Sequence, residues 1–267
     1  MSRASRMAAE LRTRGKGAAR GVPFYALGVL LALGLKEFYA RAGADDLGWI
    51  LAPTTGLAGL LSGIRFEHEA GAGWISHAHH MIVGPACAGL NFLIIAFSTL
   101  FFSFLHRLDR PASRALWLAV SLAAAFLLAI VTNAIRIVAA IFLHDQDVHG
   151  VLLCPAGVHR LEGVIVYLAS LLLAYLTVER LFDRFRGAAP GRGLPSAFVP
   201  LSWYAAIALG VPLLHRGYGH DGGRFLEHAG VVLAVCAVMA LIAFAIGRLA
   251  RRPAPGPRKH ETATPGC

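Results

Sequence analysis

The sequence predicts an all-α, polytopic membrane protein, a bundle of about six spanning helices with one further re-entrant or interfacial helix. Hydrophobic residues make up 57% of the 267 positions and charged residues only 15%, which is too apolar for an ordinary soluble globule. A bilayer core about 30 Å thick requires about twenty apolar residues per spanning helix. Six runs of that kind are present, at approximately 22–40, 86–105, 115–143, 160–180, 197–214 and 229–248.

A seventh apolar segment, 47–64, decides the topology. It is interrupted by Pro53, Thr54, Thr55 and several glycines. If it does not span, eighteen of the twenty-five Lys and Arg residues lie in cytoplasmic segments, as the positive-inside rule favours. If it spans, that bias disappears. We therefore expect 47–64 to be re-entrant or interfacial on the outer side of the bacterial inner membrane.

This topology divides the chain into three parts. Residues 1–21 form a basic cytoplasmic N-terminus, 22–248 a single transmembrane domain, and 249–267 a disordered, basic cytoplasmic tail. The net charge of +10 then serves as a topology signal and does not indicate nucleic-acid binding. Ten of the twelve histidines fall on the outer side, a moderate indication that the chemistry occurs there.

Arg136 is the ionisable residue within a predicted span, where a charged side chain is costly and therefore indicates a function. The alternative is that the Arg136 side chain snorkels to the outer lipid headgroups. The helical rise places it about 33 Å from Arg114. The same measure places Cys87 about 30 Å from Arg107 and His159 about 31 Å from Arg180. Three reactive side chains on different helices are thus expected at one outer membrane level.

Cys87 lies in Gly84-Pro85-Ala86-Cys87-Ala88-Gly89, and Pro85 predicts that the cysteine occupies the first turn of a helix. Free N–H groups there favour a thiolate, whereas an inert buried thiol is the alternative. Gly89 permits close approach by a substrate or another helix. The four cysteines lack C-x-x-C spacing, which excludes a zinc site of that kind, although a Cys87–Cys154 bridge stays open and would inactivate a thiol enzyme.

His159 begins the segment His159-Arg160-Leu161-Glu162-Gly163 at a predicted helix start, where the helix dipole keeps an imidazole available as a base. Arg160 is an adjacent alternative cation, and Glu162 is a candidate for orienting the ring. A loop histidine without a role is the alternative.

Three segments together resemble the signature motifs of the exosortase/archaeosortase family, in the same order and at membrane-appropriate spacing. They are Pro85-Ala86-Cys87-Ala88-Gly89, Asn133-Ala134-Ile135-Arg136-Ile137 and His159-Arg160-Leu161-Glu162-Gly163. The resemblance covers about residues 80 to 180 and extends to the exosortase K subgroup. Ala88 replaces the serine that often follows the family's cysteine, and six spans are fewer than the family's usual eight or so.

The resemblance implies a cysteine peptidase or transpeptidase that cleaves C-terminal sorting signals, each followed by a transmembrane tail, from exported proteins at the periplasmic face. Cys87 would be the nucleophile, Arg136 the stabilising cation and His159 the proton-transfer residue. Gly89, Asn133 and Gly163, which flank these positions, are the expected substrate-binding residues. The lipid bilayer and the exported substrates are the expected partners, with no nucleic acid, no metal and no cofactor.

Two other classes of function stay open. Outer histidines such as those in His77-Ala78-His79-His80 are compatible with a metal- or haem-handling membrane protein, although no span carries paired histidines at helical spacing. A transporter in which Arg136 lines a polar path is the second alternative.

Overall fold

The computed structural model describes residues 21–79, 81–145, 155–185, 194–214 and 222–249. Within them the chain is mostly helical, as predicted, with seven α-helices. They are α1 (Val22–Arg41), α2 (Gly48–Ser62), α3 (Leu90–Leu105), α4 (Pro111–Asp145), α5 (Pro155–Phe185), α6 (Leu194–Leu214) and α7 (Gly222–Leu249). The N-terminus before Gly21, the tail after Leu249, and Cys154 lie outside the described residues.

Among the described residues, five helical segments are long and apolar enough to cross a membrane. They are Val22–Arg41, Pro85–Leu105, Pro111–Leu143, Leu161–Phe185 and Phe225–Ala245. A shorter apolar stretch, Ser196–Val211, lies within α6. These helices agree with a multi-pass membrane protein.

The central helix is α3, which packs against α1, α4, α5 and α6. Its sequence is apolar on all sides, the pattern of a helix buried on all sides. Phe97, Phe101 and Phe104 are fully buried, and the rings of Phe97 and Phe101 stack with centroids 5.4 Å apart. By contrast, α1 and α7 leave large apolar side chains such as Leu30 and Leu241 exposed, as lipid-facing helices do.

The segment predicted to be re-entrant or interfacial forms α2, a helix of 15 residues that packs against α4. At 1.5 Å per residue it is about 22 Å long, shorter than the bilayer core. Thr54 and Thr55 donate hydrogen bonds to the carbonyls of Ile50 and Leu51, at 2.7 and 2.8 Å. These bonds let two hydroxyls be buried at low cost.

A small antiparallel sheet, which the sequence analysis did not predict, precedes Cys87 in the otherwise helical chain. The strands β1 (Glu67–Glu69), β2 (Gly73–Ser76) and β3 (Met81–Val83) pair in the order β1-β2-β3. Strands of three or four residues are too short to show a convincing alternation of apolar and polar positions. The sheet packs through β2 against α2, and β3 leads directly into the turn that carries Cys87.

The opposite end of the bundle is marked by a cluster of charges. Arg107, just after α3, pairs with Asp183 at 3.2 Å and with Glu179 at 3.7 Å, both on α5. Its guanidinium also lies over the ring of Phe104, 5.2 Å from the centroid. The ends of α3 and α5 that served as origins for the helix-rise measurements are therefore adjacent in space.

Replacing Phe97 by Ala should lower the free energy of unfolding by about 3 kcal/mol, because the change leaves a cavity in the centre of the bundle. Leu30→Ala, on the exposed face of α1, is the matched control and should have little effect. Thermal unfolding of the two purified variants in the same detergent measures the difference. Equal melting temperatures would contradict the central position of α3.

Candidate functional site

Cys87 lies in a 3-10 turn, Pro85–Cys87, that comes before the central helix. Its N–H donates to the carbonyl of Gly84 at 2.8 Å. Gly89 then adopts a left-handed conformation, with φ of +68°, and α3 begins at Leu90. Cys87 thus lies in a first helical turn that begins at Pro85, as predicted, and the left-handed Gly89 separates this turn from α3. Cys87 is a free, half-buried thiol.

Asn133 on α4 binds the backbone of this turn. Its side chain is fully buried, and its Nδ2 donates a hydrogen bond to the carbonyl of Cys87. Gly89 allows the approach, since a Cβ at that position would lie 3.1 Å from Cγ of Asn133. Only glycine combines this close contact with the positive φ at little cost. Gly89 and Asn133 thus contact each other, and their binding of substrate stays a prediction.

Arg136 lies one helical turn after Asn133 and belongs to the same polar cluster. Its Nη1 donates to the hydroxyl of Tyr167 at 2.7 Å and to Oδ1 of Asn133 at 3.3 Å. The hydroxyl of Tyr167 in turn donates to Oδ1 of Asn133 at 2.9 Å. A continuous chain of hydrogen bonds therefore runs from Arg136 through Tyr167 and Asn133 to the backbone of Cys87.

Tyr167 on α5 was not among the residues predicted from the sequence. Its ring lies under the Arg136 guanidinium, 5.4 Å from the centroid, and stacks on Phe92 at 4.6 Å. Its spacing in the sequence could have indicated this role. His159, Gly163 and Tyr167 follow one another at intervals of four residues and so share one helix face. A tyrosine in an apolar span is usually interpreted as packing, which hides its polar role.

The third motif approaches the cluster through Gly163. A Cβ there would lie 3.3 Å from Nε of Arg136, so the missing side chain makes room for the guanidinium. Arg136 also interacts electrostatically with the Cys87 thiol and the half-buried Glu162 carboxyl. His159 lies one turn before Gly163 on α5, and its side chain lies outside the described part of the chain. Contact between a substrate and Gly163 stays a prediction.

A second tyrosine holds the turn from the other side. The hydroxyl of Tyr39, near the end of α1, donates to the carbonyl of Pro85 at 3.1 Å. The Cys87 turn is thus bonded to α1 through Tyr39 and to α4 through Asn133. These two bonds fix the backbone of the candidate nucleophile, as positioning of a reactive group requires.

Two of the described histidines, His68 and His77 beside the sheet, pair with carboxylates. Nε2 of His77 lies 3.1 Å from Glu69, and Nε2 of His68 lies 3.3 Å from Asp45. Within the described ranges, no group of three or more His, Cys, Asp or Glu side chains is arranged to hold a metal ion. His80 lies outside those ranges.

Replacing Asn133 by Leu should lower the free energy of unfolding by about 1–3 kcal/mol for each polar group that loses its partner. The Cys87 carbonyl and the Tyr167 hydroxyl are the groups affected. Asn91→Leu, at an exposed asparagine on α3 whose bond from Lys36 lies at the surface, is the matched control and should change stability by less than about 1 kcal/mol. Thermal unfolding in detergent compares the two, and equal losses would show that the Asn133 network does not hold the turn.

No protein-family model, curated protein or solved structure matches this chain. Two features of the chain therefore indicate its function: the cluster of Cys87, Asn133, Arg136 and Tyr167, and the motif resemblance.

Proposed function

We propose that this protein is a membrane-embedded cysteine peptidase or transpeptidase of the exosortase/archaeosortase type. It cleaves the C-terminal sorting signals of exported proteins at the outer face of the inner membrane. Its substrates present a short motif, a transmembrane helix and a basic end, so that the membrane holds the scissile bond near the level of Cys87.

One observation carries the proposal: the three motif segments, distant in sequence, meet in one cluster. Asn133 of the second motif binds the carbonyl of Cys87 in the first, and Arg136 of the second packs against Gly163 of the third. Simple packing of apolar helices does not require an arginine, an asparagine and a free thiol in the same place. A reaction that uses a nucleophile beside a cation does.

In the proposed reaction, His159 accepts the thiol proton of Cys87 and the sulfur attacks the scissile carbonyl. Arg136 stabilises the negative charge that develops on the carbonyl oxygen. The C–N bond then breaks, His159 returns the proton to the leaving amine, and a thioester to Cys87 remains. Water or an amine of an acceptor molecule attacks the thioester, which releases the product and restores the thiol.

Tyr167 and Asn133 act as positioning residues in this scheme. Tyr167 and Asn133 together bind Nη1 of the guanidinium and so fix the orientation of the cation beside the Cys87 turn. Holding the donor in place before the charge develops is what makes such groups effective.

The proposal includes a topology. Six helices span the membrane, α2 is re-entrant or interfacial on the outer side, and both chain ends are cytoplasmic. The loop between α3 and α4 then faces the cytoplasm, whereas the sheet that precedes Cys87 faces the periplasm.

Single cysteines test this topology in a background in which the native cysteines are replaced by alanine. His79→Cys, between β2 and β3, should react with a membrane-impermeant maleimide in intact spheroplasts. Asp109→Cys, between α3 and α4, should react only after the membrane is permeabilised. The reverse pattern would place Cys87 on the cytoplasmic side and would contradict the proposed site of action.

The activity itself is tested without knowing the substrate, by mapping C-termini of exported proteins in host cells by mass spectrometry. Cells with the unaltered protein should contain exported proteins that have lost a transmembrane tail, and cells with Cys87→Ala should retain those tails. Arg136→Lys should slow processing by about 100-fold, because a lysine cannot reproduce the guanidinium geometry.

Cys236→Ala is the matched control, since Cys236 is a free cysteine on α7 and has no proposed role. It should process normally. Identical C-termini in cells with the unaltered protein and with Cys87→Ala would reject the enzyme, as would processing that depends on Cys236.

A further inference from the structure

A cavity of about 270 Å³ lies between α1, α3, α5, α6 and α7, beside the candidate site. Five side chains with polar groups line it: Lys36, Asn91, Tyr167, Tyr204 and His228. The remaining wall is mainly aliphatic. The proposed peptidase reaction makes no use of this space.

The position of the cavity relative to the membrane follows from its neighbours. Lys36 lies about one turn before Tyr39, the residue that binds the Pro85 carbonyl, and Asn91 lies one turn after Cys87. The polar part of the cavity is therefore about 5 Å along the helices from the Cys87 turn. In the proposed topology this is the boundary between the lipid headgroups and the hydrocarbon core.

The polar part is rich in hydrogen-bond donors. Nζ of Lys36 donates to Oδ1 of Asn91 at 3.1 Å. An ammonium has three N–H groups, and this bond uses one of them. The amide nitrogen of Asn91 adds two further donors beside the cation. A positive charge next to an amide donor is suited to an anionic oxygen such as a phosphate oxygen.

The apolar part is suited to a hydrocarbon chain. Ile94 and Ile95 on α3 face Ile207, Ala208 and Val211 on α6 across the cavity. A helix with its side chains is about 10–12 Å across, too wide for a space of this volume. One flexible chain with an anionic head satisfies both parts, whereas a free phosphate satisfies only the polar one.

We propose that this cavity binds an anionic phospholipid, with its phosphate at Lys36 and Asn91 and the beginning of one acyl chain among the aliphatic side chains. The bound chain contacts Phe92 and Tyr167, which stack on each other and line the cavity. Because the Tyr167 hydroxyl binds both Arg136 and Asn133, the lipid supports the ring that orients the candidate site. This site exists whether or not the chain is a peptidase.

The test uses the full-length protein, purified and delipidated in a neutral detergent and titrated with dilauroyl phosphatidylglycerol. Native mass spectrometry should detect one saturable lipid per chain. Lys36→Met should weaken binding about tenfold, the effect of losing one charged hydrogen bond. Arg41→Met is the matched control, because Arg41 is exposed on the same helix and pairs with Glu37, and it should bind normally.

A second pair of variants tests the apolar wall. Ala208→Phe fills the cavity and should abolish saturable binding. Ala206→Phe, which faces a different groove on α6, should not. Thermal unfolding of each variant establishes that it is folded before it is titrated, and Lys36→Met carries the test alone if Ala208→Phe does not fold.

Four outcomes would overturn the proposal. Equal losses in Lys36→Met and Arg41→Met would indicate general attraction to positive charge. Unchanged binding in a folded Ala208→Phe would place the lipid elsewhere. Competition by inorganic phosphate at millimolar concentration would indicate a site for the free anion, and equal binding of dilauroyl phosphatidylcholine would exclude selection of an anionic head.

Discussion

The hydrogen bond from the Asn133 amide to the Cys87 carbonyl is the contact on which the candidate site depends. Both groups are inside a helical bundle that is otherwise mainly apolar, where a polar group without a partner is costly. The Asn133 oxygen accepts hydrogen bonds from Tyr167 and Arg136, so that the partners of one buried amide come from α4, α5 and the Cys87 turn. The geometry around Cys87 therefore follows from the requirement that each buried polar group has a hydrogen-bond partner in an apolar medium.

Two glycines make this cluster possible because they have no side chain. Gly89 admits the Asn133 side chain against the turn, and Gly163 admits the Arg136 side chain against α5. Small residues let helix backbones approach closely in membranes, where the hydrophobic effect does not drive helices together. Here the space is filled by polar side chains from α4, so the close packing of helices and the candidate site use the same positions.

The level of the site could be predicted from the sequence, but its contacts could not. A helix has a fixed rise per residue, so that counting from Arg107 and Arg114 placed Cys87 and Arg136 at similar depths. Nε of Arg114 donates to the carbonyl of Leu108, the residue next to Arg107, at 2.8 Å, so both origins lie at the same end of the bundle. Tyr167 was missed because its role depends on which helix faces which, and no periodicity within one helix contains that information. The sheet was missed because its strands are very short.

The sequence by itself determined that apolar helices make up most of the chain and that a thiol, a guanidinium and an imidazole lie near the ends of three of them. Those properties follow from hydropathy and from the regular geometry of a helix, both of which are local. Only the tertiary structure decided that Asn133 and Tyr39 hold the Cys87 turn, that Tyr167 holds Arg136, and that a cavity lies beside them. Such contacts join residues 31 to 46 positions apart in the chain, and the packing of whole helices fixes them.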